Sequence, residues 1–286
     1  MLATSETKVK NYTGSRIFVP MIVYPNAKIN LGLRVLSKRS DGYHELQTVM
    51  LPIPLVDILE ISHADRFEVY SSGLPIPQDG TPGLVEKAYK LMQKKHDIGP
   101  VRFHLRKQIP IGAGLGGGSS DAAFTLKLLN QWFNIGLSVE DLEQMAAQLG
   151  SDCAFFVKNV PAFCTGRGEV LEPLEFDGKE IYMALYNPGI HVSTSMAYSL
   201  VEPKETPLLS RDLGNQKLWQ ENYPNDFELP MGERFPEIQQ GIEALKDLGA
   251  FYAAMSGSGS SYYGFFEGVN DTLPEAGLMY FGKIQP

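Results

Sequence analysis

The chain has 286 residues, of which 43% are hydrophobic and 20% are charged. This composition is typical of a globular protein with a sizeable core and excludes a disordered or fibrous chain. The formal net charge of −8 argues against broad nucleic-acid binding, which relies on clustered lysine and arginine. An anionic ligand would therefore have to be held locally, by backbone N–H groups and a few placed cations.

The sequence carries no sign of a membrane segment or a secretion signal. No apolar run approaches the roughly 20 residues that cross a bilayer, and residues 1–20 lack the apolar segment of a signal peptide. The two cysteines, Cys153 and Cys164, have no metal-ligand spacing and are expected to be buried thiols without a disulfide. We therefore expect a cytoplasmic protein that does not bind membranes.

Strand patterns dominate the first third of the chain, after a polar N-terminal extension at residues 1–20. Residues 29–35, 46–54, 57–62 and 66–71 predict four strands. Residues 83–95 have the spacing of an amphipathic helix. Residues 101–107 alternate strictly, with Val101, Phe103 and Leu105 on one face, which predicts a half-buried strand.

Helices and strands then mix without regular alternation. Helices are predicted at residues 119–134, 195–201, 237–248 and 138–149, the last with a capping box from Ser138 to Asp141. Strands are predicted at residues 162–165, 181–186, 251–255 and 261–266, the last two around a glycine turn. The polar, proline-containing residues 202–218 are expected to form a surface excursion. This order predicts an α+β fold, divided into domains at residues 21–177 and 178–286.

A glycine-rich loop joins the strand at residues 101–107 to the following helix. Five of its seven residues from 112 to 118 are glycine, which lets the backbone approach a ligand closely. The helix that follows offers free N–H groups and a partial positive charge to a phosphate. The predicted phosphate contacts are Pro110, Gly112, Gly114, Gly116, Gly117, Gly118, Ser119 and Ser120, and the two serines are expected either to cap the helix or to donate to phosphate or Mg²⁺.

Three other readings of the loop fit less well. The segment matches G-x-G-x-x-G, but the acids about 20 residues on, Glu140 and Asp141, begin a helix instead of ending a strand. It also nearly matches a P-loop, except that Gly118 stands where the lysine belongs. A flexible linker would not lie between a strand and an amphipathic helix.

The pattern P-x-G-x-G-L-G-G-G-S-S resembles the phosphate loop of the GHMP kinases. Further motifs, in order, resemble the branch of that family that phosphorylates a cytidylyl polyol. They are Asn-Ala-Lys-Ile-Asn-Leu at 26–31, Ser-Asp-Gly-Tyr-His-Glu-Leu-Gln-Thr at 40–48, Leu-Gly-Ser-Asp at 149–152, Pro-Gly at 188–189, Asn-Asp-Phe-Glu at 225–228 and Met-Ser-Gly-Ser-Gly at 255–259. The sequence departs from the family at Thr81-Pro82-Gly83, where an Asp-Asn pair is common in the adenosine pocket.

The resemblance implies an ATP- and Mg²⁺-dependent small-molecule kinase. Its fold would pair a ribosomal protein S5 domain 2-like N-terminal domain with a ferredoxin-like C-terminal domain, around a cleft that holds the active site. We expect a monomer or a weak homodimer that takes a cytidylyl substrate. A GHMP kinase for mevalonate, homoserine or a sugar, and a non-catalytic ligand sensor on the same fold, are the alternatives.

The resemblance also assigns roles to residues. Lys28 would stabilise charge, Asp152 would be the general base, and Ser119 would be a ligand of Mg²⁺. An aspartate before an apolar run could instead cap the next helix. The predicted substrate-binding residues are Asn30, Tyr43, His44, Thr194 and Tyr198; in this assignment Tyr43 stacks on cytosine, His44 bonds the base edge, and the turn at 256–259 packs against the glycine loop.

Overall fold

The computed structural model describes residues 19–76, 81–178, 180–204 and 208–284. Residues 1–18 of the expected N-terminal extension lie outside the described residues. The strands are β1 (Met21–Val23), β2 (Asn26–Lys38), β3 (His44–Val56), β4 (Ile58–His63), β5 (Glu68–Gly73), β6 (Val101–Lys107), β7 (Ala162–Thr165), β8 (Val170–Pro173), β9 (Tyr182–Tyr186), β10 (Tyr252–Met255), β11 (Tyr262–Phe266) and β12 (Leu278–Lys283). The helices are α1 (Leu84–Lys95), α2 (Gly117–Trp132), α3 (Val139–Ala146), α4 (Phe155–Lys158), α5 (Thr194–Leu200), α6 (Trp219–Asn222), α7 (Glu228–Arg234) and α8 (Pro236–Asp247), with a 3-10 turn at Gln216–Leu218 before α6.

The first sheet has the order β1-β4-β6-β5, and the glycine loop follows the end of its inner strand β6. Strands β5 and β6 are parallel, and helix α1 makes the crossover that a parallel pair requires. The predicted alternation along β6 is confirmed, because its burial strictly alternates from Val101 to Lys107. Helices α1 and α2 pack together against this sheet around a core that includes Phe103, Leu126 and Met92.

The second sheet has the order β2-β3-β7-β8 and is antiparallel. Along β2, Ala27, Ile29 and Leu31 pack in a core with residues of the C-terminal sheet. The alternate residues of a strand point to the opposite face, so Lys28 and Asn30 face away from that core. This alternation explains why a strand buried on both sides carries two polar residues.

The third sheet contains the strands of the C-terminal half. Its order is β12-β9-β11-β10, with every neighbouring pair antiparallel, which is the strand order expected of a ferredoxin-like domain. Residues 267–277, between β11 and β12, form no helix, so one helix of the full motif is missing. The α+β fold class is confirmed. The boundary at residue 177 remains a proposal, because one core joins Ile29 to Tyr263 across it.

Several sequence-based expectations need correction. The expectation that residues 202–218 form a surface excursion is only partly right. In the described part of this segment, Leu209 and Leu213 are buried in the core beside Trp219, because two apolar side chains in a polar segment still gain from burial. The sequence patterns also missed β1, α4, α6, α7, β8 and β12. None of the helices in the described part of the chain is both long and apolar enough to cross a bilayer.

Candidate active site

A cavity of about 1120 Å³ lies between the glycine loop, β2, and the starts of β3, α1 and α5. Almost all of the predicted site residues line it. Those residues are Lys28, Asn30, Tyr43, His44, Pro110, Gly112, Gly114, Gly116, Gly117, Gly118, Ser119, Asp152, Thr194 and Tyr198. The fold therefore brings motifs spread over some 170 residues of chain together around one cavity.

The glycine loop has backbone angles that residues with a side chain rarely adopt. Gly112, Gly114 and Gly116 have φ values of +68°, +77° and +70°, in the left-handed region that favours glycine. Gly116 is the N-cap of α2, and no side chain caps this helix. The expectation that Ser119 or Ser120 would cap α2 is therefore wrong; both serines lie inside the helix, whose first N–H groups have no side-chain acceptor.

The two serines of the loop have different surroundings. Ser119 lines the cavity, and its Oγ and Cys153 Sγ both lie within 4 Å of the place of a Cβ on Gly150. Ser120 is fully buried, does not line the cavity, and its Oγ has no hydrogen-bond partner within the described residues. One residue turns a helix by about 100°, which explains why neighbouring serines diverge. The predicted contact of Ser120 with the nucleotide is not supported.

Lys28 is the centre of a polar network beside the glycine loop. Its ammonium donates to Gly114 O at 3.0 Å and to Asn30 Oδ1. The same nitrogen lies 3.4 Å from Asp152 Oδ2. The Lys28 side chain is 4% exposed and that of Asp152 is 29% exposed, so the lysine is held by protein while the carboxylate still reaches the cavity. Asn30 is fixed in turn by its bond to Thr48 Oγ1 at 2.9 Å.

Asp152 does not cap the following helix. The N-cap of α4 is Ala154, and no side chain bonds to the helix start. Asp152 lies instead in the turn after α3, with its Oδ1 3.6 Å from the point where a Cβ on Gly168 would lie. The capping alternative is therefore excluded by the geometry.

A second buried lysine, Lys107, lies beneath the start of α2 and was not predicted. Its Nζ lies 2.5 Å from Asp57 Oδ2 and 2.8 Å from Asp121 Oδ2, and 3.2 Å from the place of a Cβ on Gly117. Burial raises the pKa of Asp121 to about 7, although Lys107 opposes the shift. The alternation of β6 was the available signal, since Lys107 falls on the same inward face as Leu105.

Aromatic side chains form the opposite end of the cavity. The ring of His44 stacks on Tyr198, with ring centres 4.9 Å apart and planes at 18°, and Tyr198 meets Phe227 edge-on at 4.9 Å. Burial, and then the charge of Lys38, lower the pKa of His44, which favours the neutral imidazole. Tyr43 stands apart from this stack and is 52% exposed.

The turn at residues 256–259 locks onto the glycine loop. Ser256 Oγ donates to Gly114 O at 3.0 Å, which confirms the predicted packing of the two loops. Asn225 supports the turn by donating to Met255 O and Gly257 O at 2.9 and 2.8 Å. Glu228 accepts the Met255 N–H at 2.8 Å. The motif at 225–228 therefore holds the backbone of the 256–259 turn in place against the glycine loop.

The cavity suits a magnesium ion bound mainly by phosphate. No group of three or more His, Cys, Asp or Glu that could hold a metal exists among residues 19–76, 81–178, 180–204 and 208–284. Mg²⁺ commonly keeps its waters and takes only one or two carboxylates besides substrate phosphates. Ser119 and Asp152 both line the cavity, so the donor set fits such an ion. Both cysteines are buried free thiols, as predicted.

Comparison with known proteins identifies the family. The GHMP kinase N-terminal domain family matches residues 83–167, and the GHMP kinase C-terminal family matches residues 208–275. A protein of Azobacteroides pseudotrichonymphae genomovar. CFP2 named 4-diphosphocytidyl-2-C-methyl-D-erythritol kinase is 48% identical over 86% of this chain and 94% of the relative. A protein of the same name from Parabacteroides distasonis is 45% identical over 86% and 92%.

Solved structures agree with this assignment. A crystal structure of 4-(cytidine 5'-diphospho)-2C-methyl-D-erythritol kinase has a TM-score of 0.74 and 35% identity, over 87% of this chain and 91% of that one. A homoserine kinase from Cytophaga hutchinsonii, with a TM-score of 0.63 over 90% and 88% but only 16% identity, shares the fold. The chain therefore belongs to the GHMP kinases, ATP-dependent small-molecule kinases, and within them to the family of 4-diphosphocytidyl-2-C-methyl-D-erythritol kinases.

Proposed function

We propose that the chain transfers the γ-phosphoryl group of ATP to the 2-hydroxyl of 4-diphosphocytidyl-2-C-methyl-D-erythritol, in the non-mevalonate route to isoprenoids. The observation that carries the proposal is the pairing of Lys28 with Asp152 beside the glycine loop, in the same cavity as Tyr43 and His44. The names of the 42–48% identical relatives support the same substrate. We also propose a cytoplasmic monomer or weak homodimer.

In the proposed reaction, positioning and charge neutralisation do most of the work, as in other phosphoryl transfers. The glycine loop and the start of α2 hold the phosphates of ATP through backbone N–H groups. Mg²⁺, when bound, neutralises charge on the phosphate oxygens, and Ser119 is the residue that would contact it. The buried ammonium of Lys28, beside the glycine loop, stabilises the charge that develops on the transferred phosphoryl group.

Asp152 is the proposed general base. Its carboxylate is the one acidic side chain that pairs with Lys28 within the described residues, and it lines the cavity. In the proposed step this carboxylate accepts the proton of the 2-hydroxyl as the oxygen attacks phosphorus. Because Lys28 is held by Gly114 and Asn30, the pair has a fixed orientation before substrate binds.

The cytosine is proposed to bind at the aromatic end of the cavity. Tyr43 offers a half-exposed ring for stacking, which is worth about 1–3 kcal/mol per base. Neutral His44 can both donate to and accept from a base edge. Tyr198, Thr194 and Asn30 complete the proposed substrate contacts.

Replacing Asp152 by Asn tests this mechanism. Asn keeps the size of the side chain but cannot accept the proton, so kcat should fall by about 10²- to 10⁴-fold. ATP binding and the thermal midpoint should change little, since Asp152 is partly exposed and caps no helix. Asp65→Asn, on the exposed surface, is the matched control and should keep full activity. Full activity of Asp152→Asn would exclude Asp152 as the base.

A further inference from the structure

One arginine lines the cavity between the proposed base-binding residues and the proposed general base. Arg167 lies in the turn between β7 and β8. Its guanidinium carbon is 4.7 Å from the ring centre of Tyr43. The next residue, Gly168, approaches Asp152, with 3.6 Å from a Cβ placed on the glycine to Asp152 Oδ1. The turn therefore spans the distance from Tyr43 to Asp152.

The proposed substrate has the same order of parts. Its cytosine is joined through a diphosphate to the methylerythritol that carries the reacting hydroxyl. A molecule with its base at Tyr43 and its hydroxyl at Asp152 must place its diphosphate between them, beside Arg167. The diphosphate carries negative charge and needs a local cation, because the chain as a whole is acidic, with a formal charge of −8.

The other cations of the cavity lie elsewhere. Lys28 and Lys107 sit at the glycine loop, and each already contacts a carboxylate. Lys87 is on α1, the helix whose start lines the cavity around residues 81–86. Of the lysines and arginines that line the cavity in the described part of the chain, only Arg167 contacts Tyr43.

The guanidinium of Arg167 is held in place by few contacts from the described residues, so most of its N–H donors are left for a ligand. Within the described ranges it makes one ion pair, from Nε to Glu169 Oε1, and at 3.4 Å this contact is long. The other oxygen of Glu169 accepts the backbone N–H of Arg167 at 2.5 Å, which fixes the carboxylate. Asp41 also faces the group and interacts with it electrostatically. Arginine presents a fork of five donors that matches phosphate oxygens better than lysine does.

We propose that Arg167 binds the diphosphate of the cytidylyl substrate and so selects cytidine diphosphate esters over uncharged alcohols. This inference rests on the proposed function and deepens it. Arg167 also covers one face of the Tyr43 ring, which leaves the other face for the cytosine. Base stacking and diphosphate binding are then linked through one arginine–tyrosine pair.

Competition by cytidine, CMP and CDP against the cytidylyl substrate tests this role. In the natural chain CDP should inhibit more strongly than cytidine. In Arg167→Ala the advantage of CDP over cytidine should shrink by about 10- to 100-fold, the range of charge-assisted hydrogen bonds. Inhibition by cytidine itself should weaken less than inhibition by CDP, because Arg167 contacts the Tyr43 ring but is not proposed to contact the nucleoside. Arg167→Lys should retain part of the advantage, because it keeps the charge but loses the fork.

Arg211→Ala is the matched control. Arg211 also lies over an aromatic ring, 4.2 Å from the centre of Phe163, and pairs with Glu172 at 3.1 Å, but it does not line the cavity. It should leave the CDP advantage intact. If Arg167→Ala keeps that advantage, or weakens cytidine and CDP equally, Arg167 does not bind the diphosphate. A natural chain that is inhibited by neither cytidine nor CDP would instead overturn the proposed cytidylyl substrate itself.

Discussion

Gly114 ties the active site to the C-terminal half of the chain, so its replacement by alanine should damage both stability and turnover. Its φ is +77°, and an added Cβ would lie 1.9 Å from the carbonyl oxygen of Ser256. That atom belongs to the backbone, so no side-chain rotation can relieve the contact. The carbonyl of Gly114 also accepts bonds from Lys28 and from Ser256 Oγ, each at 3.0 Å.

The size of the effect follows from these contacts. The left-handed backbone costs a non-glycine residue about 1–2 kcal/mol. Moving Gly114 away from Ser256 breaks both bonds that its carbonyl accepts: a neutral bond from Ser256 Oγ, about 1 kcal/mol, and a bond from the charged Lys28, about 1.5–3 kcal/mol. Gly114→Ala should therefore lower the free energy of unfolding by about 3.5–6 kcal/mol. Because Lys28 loses its anchor, kcat should fall by about 10- to 100-fold.

Gly136→Ala separates backbone strain from the clash. Gly136 has a similar φ of +82°, but a Cβ there would meet no atom within 4 Å, and the residue does not line the cavity. This control should lose about 1–2 kcal/mol and keep its kcat. Urea unfolding and steady-state kinetics on both variants give the comparison. The reasoning is refuted if Gly114→Ala is no less stable than Gly136→Ala and turns over at the natural rate.

Three further changes test other parts of the site. Tyr43→Ala should raise the KM for the cytidylyl substrate about 5- to 150-fold, with little change in the KM for ATP. Tyr43→Phe should leave both KM values unchanged, as should the control Tyr70→Ala, at an exposed tyrosine outside the cavity. Equal rises in both KM values for Tyr43→Ala would argue against stacking. Burial raises the pKa of Glu228 to about 7 from its ordinary 4.5, so between these pH values the folded chain keeps a proton that the unfolded chain releases. The free energy of unfolding should therefore fall by on the order of 3 kcal/mol as pH rises from about 4.5 to about 7. A Glu228→Gln variant whose stability falls equally steeply with pH would contradict this. Lys107→Met leaves two buried carboxylates without a cation and should cost about 3–5 kcal/mol in urea unfolding, whereas natural stability would show that the triad is not needed for folding.

The local patterns were the most predictable part of the fold. The alternation of residues 101–107 and the capping box at Ser138 give β6 and the start of α3 as observed. Helix α7 was missed because Pro230 and Gly232 lie within it, and both disfavour a helix in isolation. The start of α2 was placed two residues late, since a glycine run hides the fact that Gly116 is itself the cap.

The site was predictable where motifs mark it and unpredictable where distant segments meet. Lys28, Asp152 and the glycine loop were identified by motif. The bond between Ser256 and Gly114 joins residues 142 positions apart, so the packing of these two loops was predicted from the family resemblance and not from any spacing rule. The contact of Arg167 with Tyr43 was not predicted, because nothing near Arg167 in sequence indicates that the Tyr43 ring lies over its guanidinium.

ADP release with 4-diphosphocytidyl-2-C-methyl-D-erythritol, compared with mevalonate, homoserine and galactose, measures the proposed activity most directly. A site built to bond a cytosine edge should reject substrates that lack it, so kcat/KM for the cytidylyl substrate should be higher by about 10⁴-fold or more. Mass analysis of the product should show one added phosphate on the methylerythritol part. A comparable kcat/KM for mevalonate, homoserine or galactose would contradict the cytidylyl assignment, and no ADP release with any of the four would favour a ligand sensor over a kinase.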